Sequence, residues 1–168
     1  MIELISFNSY NFVFFTINYF MSEAFSMAEV AFQNNEVPVG AVIVKDDKII
    51  GNGFNQVIEK NSVSSHAEIN AINHASQTIQ NYRLINCDIY VTLEPCHMCA
   101  KAIVDARIEN LYFGALEPKT GAIVSVDNFL NHEYLNHKVS YDYGLLQKES
   151  SELLRNFFQL KRKSKKTI

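Results

Sequence analysis

Two short motifs constrain this chain more than any other feature of its sequence. Residues 66–68 read His-Ala-Glu, and residues 95–99 read Pro-Cys-His-Met-Cys. One histidine and two cysteines can hold a zinc ion with its fourth coordination position open, which is the arrangement of catalytic zinc sites. A glutamate beside such a metal can move protons. The two motifs therefore predict hydrolytic chemistry, with His66, Cys96 and Cys99 as metal ligands and Glu68 as the catalytic residue.

Each motif opens a predicted helix. Cys96 and Cys99 are three residues apart and share one helix face. In a first turn, free N–H groups and the helix dipole favour the thiolate that binds metal. His66 and Glu68 point apart on an ideal helix, so both reach one site only if it lies ahead of the helix N-terminus. A cap at residues 64–65, both serine, predicts that position.

Neither motif is specific when taken alone. A His-x-Glu sequence occurs by chance, and Cys-x-x-Cys is also found in redox sites and in halves of structural zinc sites. Cys87 is interpreted as a buried strand cysteine, and no fourth ligand is evident. The remaining histidines are interpreted as surface residues or as support for the ligands (His74, His97, His132 and His137). The joint pattern favours a catalytic zinc site.

The composition indicates one soluble domain whose basic residues are concentrated near the C-terminal end. The 168 residues are 48% hydrophobic and 20% charged, with a net charge of −3, all ordinary for a globular protein. Basic residues nevertheless cluster in the last eight positions, which contain no acid (Lys161, Arg162, Lys163, Lys165 and Lys166). A basic end of this kind can meet phosphates. The alternative is a solvated, frayed terminus.

Residues 1–17 form an apolar, aromatic extension with no assigned role, and residues 18–168 form the predicted domain with its basic tail. No Lys or Arg precedes the apolar residues and no small-residue cleavage site follows them, which argues against a signal peptide. The run is too broken for a membrane span. It is either an additional packing segment or upstream sequence translated from an early start, with Met21 as another candidate start.

Alternating helices and strands predict an α/β layered domain with a central sheet. Five strands are predicted (39–44, 49–54, 87–93, 111–114 and 138–141). Four helices are predicted (18–34 capped by Asn18, one from residue 64 or 65, one from Pro95 to about Arg107, and 145 to about 161). Gly51 and Gly53 mark a bulge or a close approach of two backbones.

The pattern resembles the zinc-dependent nucleoside and nucleobase deaminases, whose signature is His-x-Glu followed by Pro-Cys-x-x-Cys. The resemblance is closest to the tRNA-specific adenosine deaminases and runs from about residue 19 to 163. Eight segments carry it (37–42, 53–55, 66–69, 93–100, 113–115, 119–121, 136–137 and 157–158).

The resemblance implies a cytidine deaminase-like three-layer α/β/α sandwich with a five-stranded mixed sheet. It implies hydrolysis of adenosine to inosine at the wobble position of a tRNA anticodon, usually of an arginine tRNA in bacteria. One Zn²⁺ per subunit would be held by His66, Cys96 and Cys99, with Glu68 as proton shuttle. A cytoplasmic homodimer that binds the anticodon stem-loop and no membrane is expected.

The resemblance also nominates substrate-binding residues. Asn55 matches a residue that contacts the extruded nucleoside, although it could instead be a turn residue that caps the preceding strand. Glu117 and Lys119 lie in a loop that borders the substrate in the family, but a surface lysine is the simpler interpretation. Phe157 and Phe158 precede the basic tail, and one could pack inward while the other meets a base or sugar. Core packing of both is the alternative.

Some positions depart from the family pattern. Leu116 and Pro118 replace residues in the loop beside the substrate, and residues 123–124 are larger than usual after Lys-Thr-Gly. Two other functions stay open at this point. A deaminase of free nucleobases or nucleosides would share the zinc site, but the terminal aromatic pair and basic tail disfavour it. A non-catalytic zinc or RNA-binding module would have no use for Glu68.

Overall fold

A computed structural model describes residues 9–165 as one sheet between two layers of helices. The strands are β1 (Gly40–Lys45), β2 (Lys48–Phe54), β3 (Asp88–Leu93), β4 (Asn110–Ala115) and β5 (Ser140–Tyr143). The helices are α1 (Ser9–Gln33), α2 (Ala67–Ile79), α3 (His97–Asp105) and α4 (Gln147–Lys165), with a short 3₁₀ helix at Phe129–Asn131. None of the helices within residues 9–165 has the length and apolarity needed to cross a bilayer.

The strand order β2-β1-β3-β4-β5 brings the functional segments to one edge of the sheet. β1 is antiparallel to β2 and to β3, whereas β3, β4 and β5 are parallel. Gly40, the first residue of β1, pairs with Phe54, the last of β2. Leu93, the last residue of β3, pairs with Ala115, the last of β4. The loops that follow β2, β3 and β4 therefore all leave from the same edge.

Side chains alternate across the sheet, as the period of a strand requires. Ala41 and Ile43 face the larger buried cluster, which includes residues of α2 and α3. Val42 and Val44 face a second cluster formed with α1 residues such as Phe20. The predicted three-layer α/β/α sandwich with a five-stranded mixed sheet is thereby confirmed.

Two glycines of β2 let α2 lie directly on the sheet. A Cβ at Gly53 would collide with the Ala67 carbonyl oxygen and the Ala71 nitrogen. A Cβ at Gly51 would come within 2.6 Å of the Ala75 nitrogen. These contacts are far below van der Waals distance, so a close approach of backbones, one of the two predicted explanations, accounts for both glycines.

Three predicted helix starts are wrong in their caps, and α4 begins at Gln147 instead of residue 145. The first helix begins at Ser9 and passes through Asn18 without a break, so Asn18 is not its cap. The extension's residues 9–17 belong to this helix, and residues 1–8 lie outside the described residues. α2 is capped at His66 rather than at residues 64–65, and α3 at Cys96, after Pro95. The serines are instead engaged in turns of their own loop.

Candidate active site

A cavity of about 360 Å³ opens at the sheet edge described above. Its walls come from five parts of the chain: the residues after α1, the loop that follows β2, the start of α2, the loop that follows β3, and the loop that follows β4. His66, Glu68, Cys96 and Asn55 line it together. The two sequence motifs therefore meet at one concave site.

His66 and Cys96, which line this cavity, form a compact group of potential metal ligands with the buried Cys99. The Nδ1 atom of His66 lies 3.5 Å from Cys99 Sγ and 3.7 Å from Cys96 Sγ. Ordinary zinc–nitrogen and zinc–sulfur bonds at tetrahedral angles place such atoms about 3.6 Å apart. Within residues 9–165 this is the only group of three or more His, Cys, Asp or Glu side chains able to share a metal ion. The residues present fit a zinc ion.

The electrostatics of the cluster also suit a cation. A hydrogen bond with Cys99 is the main reason that the pKa of Cys96 falls to about 3, with burial opposing and His66 assisting. The pKa of Cys99 is raised, chiefly by its hydrogen bond to the Cys96 thiolate and by burial. The hydrogen bond with Cys96 raises the pKa of His66. These shifts favour one thiolate in the group, the form of cysteine that binds a metal ion.

Glu68 is a buried carboxyl group at the second position of α2, 4% exposed. Burial raises its pKa, although its own backbone N–H and His66 act in the opposite sense. His66 is the cap of the same helix, with extended backbone angles. The two side chains therefore converge ahead of the helix N-terminus, as predicted, although the cap lies at a different residue.

Asn55 connects the cavity wall to the helix that begins after His66. Its Oδ1 accepts a hydrogen bond of 2.9 Å from the backbone N–H of Ala67, the first residue of α2. A backbone N–H pairs only with the oxygen of the amide, so the Nδ2 atom of Asn55 is directed away from this bond. That nitrogen has no hydrogen-bond partner within residues 9–165, and Asn55 borders the cavity. Its side chain can therefore donate to a bound molecule.

Two buried carboxylates in the cavity wall were not anticipated from the sequence. Glu36 is 2% exposed and accepts a 2.8 Å hydrogen bond from the backbone N–H of Glu59. Glu94 is 3% exposed and accepts hydrogen bonds from the loop after β4. Burial opposes ionisation of Glu94, but bonds from Ser125 and its neighbours lower its pKa overall. Glu36 follows two asparagines and Glu94 precedes a proline, so neither stands in a sequence pattern that marks it as buried.

The predicted substrate loop lies at the cavity, but only part of it faces inward. Glu117 and Thr120 line the cavity, whereas Lys119 is exposed and does not. Glu117 Oε1 accepts a 3.0 Å hydrogen bond from the Lys119 backbone N–H, which shapes the turn between them. Thr120 was missed because a threonine in a polar loop carries no distinguishing pattern.

The two adjacent phenylalanines on α4 lie in different environments, one buried and one exposed, as one of the two alternatives predicted. Phe157 is 5% exposed and packs against Phe32 of α1 with a ring separation of 5.9 Å. Phe158 is 44% exposed. Neither residue lines the cavity. α4 continues to Lys165, beyond the predicted end near residue 161, and carries Lys161 over the Phe157 ring.

The other histidines stay apart from the ligand group, as expected. His97 Nε2 lies 3.0 Å from an Asp127 carboxylate oxygen. His74 Nδ1 contacts Asn52, and His137 Nε2 contacts the carbonyl of Ile108. Cys87 is buried, as predicted.

Fold and site together define a deaminase, and the sequence pattern of the MafB19-like deaminase family matches residues 16–162. The chain is 46% identical to the tRNA-specific adenosine deaminase of Haemophilus influenzae, over 87% of this chain and 85% of that protein. It is also 46% identical to the enzyme of that name from Aquifex aeolicus, over 84% and 93%. The chain belongs to the family of tRNA-specific adenosine deaminases.

Solved structures agree with this placement. A tRNA:A34 deaminase studied for A-to-I editing at the wobble position of transfer RNA superposes with a TM-score of 0.78 at 43% identity. The alignment covers 80% of this chain and 98% of that one. A guanine deaminase from Nitrosomonas europaea superposes with a TM-score of 0.70 at 22% identity, covering 83% of each chain. At that identity only the fold is shared.

Replacing Asn55 by alanine should lower the free energy of unfolding by about 1–2 kcal/mol, because the buried Ala67 N–H then loses its acceptor. Urea denaturation measures this change. The matched control is Asn81→Ala, which removes the same type of bond, to the Arg83 N–H, from an exposed turn. Its stability should change by no more than about 0.5 kcal/mol. Equal losses in the two variants would contradict a buried capping role for Asn55.

Proposed function

We propose that this enzyme is a zinc-dependent hydrolase that converts adenosine to inosine at the wobble position of a tRNA anticodon, in particular of an arginine tRNA. The observation that carries the proposal is the group His66, Cys96 and Cys99 at a cavity, with the buried Glu68 beside it. Identities of 43–46% to tRNA-specific adenosine deaminases supply the substrate class.

The three ligands would hold one zinc ion per subunit, which would lower the pKa of a water molecule and prepare it to attack carbon. Three protein ligands leave a coordination position for that water, as catalytic sites require. The cluster distances support this assignment, because they need little change to accept the metal. The low pKa of Cys96 favours the thiolate form that binds a metal ion.

Glu68 would move the protons of the reaction. Water adds across the C6–N1 bond of adenine: its oxygen bonds to C6, and Glu68 takes one of its protons and delivers it to N1. Glu68 then moves the remaining hydroxyl proton to the amino group, the C6–N6 bond breaks, ammonia leaves, and the C6=O bond of inosine forms. Burial raises the pKa of Glu68, which brings a carboxyl group closer to the range where it can both accept and donate a proton.

Asn55 would hold the base, because its Nδ2 donor borders the cavity while its Oδ1 is fixed on Ala67. The acceptors on a purine edge are suitable partners for such a donor. A base inside a helix cannot enter a cavity of this kind, so the target must lie unstacked in a loop. An anticodon loop presents its bases in that way.

The outer surface supports contacts with RNA. Phe158 offers an exposed ring on α4, and the same helix carries Lys161, Arg162 and Lys163 at its end. Lys119 lies exposed beside the mouth of the cavity, near Glu117. Aromatic faces and cations are the groups that bind single-stranded nucleic acid. Phe157, being buried against Phe32, would act by supporting its neighbour.

We further propose that the enzyme works as a cytoplasmic homodimer, as the family resemblance implies. Exposed apolar side chains lie in segments that border the cavity: Ile58 and Val63 after β2, Met98 at the start of α3, and Val126 after β4. Such a surface suits burial against a second copy beside the site.

The function is tested by incubating the zinc-loaded protein with total tRNA and locating inosine by sequencing. We expect inosine at the wobble position of a tRNA that carries adenosine there, and no comparable turnover of free adenosine, cytidine or guanine. Conversion of a free base or nucleoside as fast as of the tRNA would contradict the proposal and favour a small-molecule deaminase.

Glu68→Gln should bind one zinc ion per chain and lose at least about 100-fold in turnover, because an amide of the same shape cannot accept the proton. Ammonia release and metal analysis measure the two effects separately. Glu29→Gln, on the exposed side of α1, is the control and should match the wild type. Wild-type turnover by Glu68→Gln would remove Glu68 from the mechanism.

Replacing Lys161, Arg162 and Lys163 together by glutamine should weaken binding of an anticodon stem-loop and flatten its salt dependence. For every phosphate that these side chains neutralise, the slope of log K against log salt should fall by about 0.7–0.9. Fluorescence anisotropy across a salt series measures both quantities. Lys48→Gln, at the exposed first residue of β2, is the control. An unchanged slope would show that the end of α4 does not meet the RNA backbone.

A further inference from the structure

Glu94 is the most heavily hydrogen-bonded carboxylate in the described part of the chain. Its Oε1 atom accepts from the backbone N–H groups of Ile123, Val124 and Ser125 at 3.1, 2.7 and 2.9 Å. Its Oε2 atom accepts from the Glu117 N–H at 3.0 Å and from the Ser125 hydroxyl. The donors of these five bonds lie at both ends of one loop, residues 117–125, so the Glu94 side chain holds the two ends of the loop together.

The loop backbone also lies in close contact with the Glu94 carboxylate at Gly121. A Cβ at Gly121 would collide with the Glu94 carboxylate, so only glycine fits there while the carboxylate keeps its place. Backbone contacts continue the attachment, because the Ala122 N–H donates to Pro95 O at 2.9 Å and Cys96 forms an isolated bridge with Gly121. The loop is thus fixed to the segment that carries a metal ligand.

The position of Glu94 links two parts of the site that have different tasks. It directly precedes Pro95 and Cys96, and it lines the cavity itself. The loop that it holds contributes Glu117 and Thr120 to the cavity wall. Hydrogen bonds to an ionised acceptor are stronger than those between neutral groups, so a carboxylate holds this loop more firmly than an amide would.

We propose that Glu94 is a positioning residue for substrate binding, which fixes loop 117–125 relative to Cys96 so that the cavity wall and the metal ligands keep one geometry. Glu94 acts through the loop and does not take part in proton transfer. The inference rests on the proposed function, because it assigns the loop to recognition of the RNA substrate. It predicts that damage to Glu94 affects binding of the substrate more than the chemical step.

The test compares Glu94→Gln with Ser125→Ala, using an anticodon stem-loop as substrate. Glutamine has one acceptor oxygen, and its NH₂ group would oppose backbone N–H donors, so KM should rise about tenfold with kcat changed less than about twofold. Ser125→Ala removes one bond and should raise KM about threefold. Zinc content should stay at one ion per chain in both. Glu133→Gln, an exposed carboxyl group in a later loop, should behave as the wild type.

Hydrogen exchange supplies a readout that does not depend on activity. The amides of Glu117, Ile123, Val124 and Ser125 should exchange faster in Glu94→Gln than in the wild type, while those of α2 stay protected. Unchanged exchange at these amides would overturn the inference. So would an unchanged KM, or a fall in kcat together with loss of zinc, since the latter would show that Glu94 supports the metal ligands instead.

These outcomes separate the inference from the function on which it rests. A wild-type enzyme that leaves the stem-loop unchanged contradicts the proposed function, and the exchange measurement then still decides whether Glu94 holds the loop. An active wild type with an unaffected Glu94→Gln variant contradicts the inference alone. Where Glu94→Gln does not fold, Ser125→Ala carries the test through the same graded change in KM.

Discussion

Two helix N-termini meet at one edge of the sheet, and the candidate site depends on this meeting. His66 caps α2 and Cys96 caps α3, both with extended backbone angles. A helix N-terminus offers free N–H groups and a positive dipole end, which favour a thiolate at Cys96. The meeting requires α2 to lie close to β2, and Gly51 and Gly53 allow that approach. The ligand geometry is therefore set by backbone packing well outside the ligands themselves.

Buried polar side chains perform a second task, because they hold the irregular segments that close the cavity. Asn55 holds the start of α2, Glu36 holds the loop at Glu59, and Glu94 holds the loop at residues 117–125. All three also line the cavity. A buried oxygen acceptor is costly unless it is hydrogen-bonded, so the bonded oxygens of these residues favour one arrangement of the backbone segments that they hold. The same buried hydrogen bonds therefore form the cavity wall and fix the conformation of the segments around it.

The sequence predicted the parts that depend on local chemistry. The grouping of His66, Cys96, Cys99 and Glu68 followed from residue type and spacing, and all five strands were predicted to within two residues. The helix starts failed because capping proved to be non-local: the first N–H of α2 is bonded by Asn55 across a loop, and the residues before Asn18 extend α1 instead of ending at it. Glu36 and Glu94 were missed because a carboxylate bonded to distant backbone leaves no periodic pattern in the sequence.

Chemistry and substrate choice are carried by different parts of the molecule. The proposed metal ligands and Glu68 lie at or next to helix starts that rest on the sheet, whereas Asn55, Glu117 and Thr120 lie in loops or at their ends. The fold is shared with a guanine deaminase at 22% identity, so the fold alone cannot select a substrate. Under the proposed function, the loops around the cavity and the exposed surface of α4 would select the substrate. The buried Glu94 carboxylate lies two residues before Cys96 and also shapes the loop of residues 117–125. A change in substrate would therefore have to leave the geometry of the proposed metal ligands intact. Glu94 holds the two ends of this loop and lies next to the start of α3. Residues 118–120 can therefore vary while Glu94 and its hydrogen-bond partners stay in place.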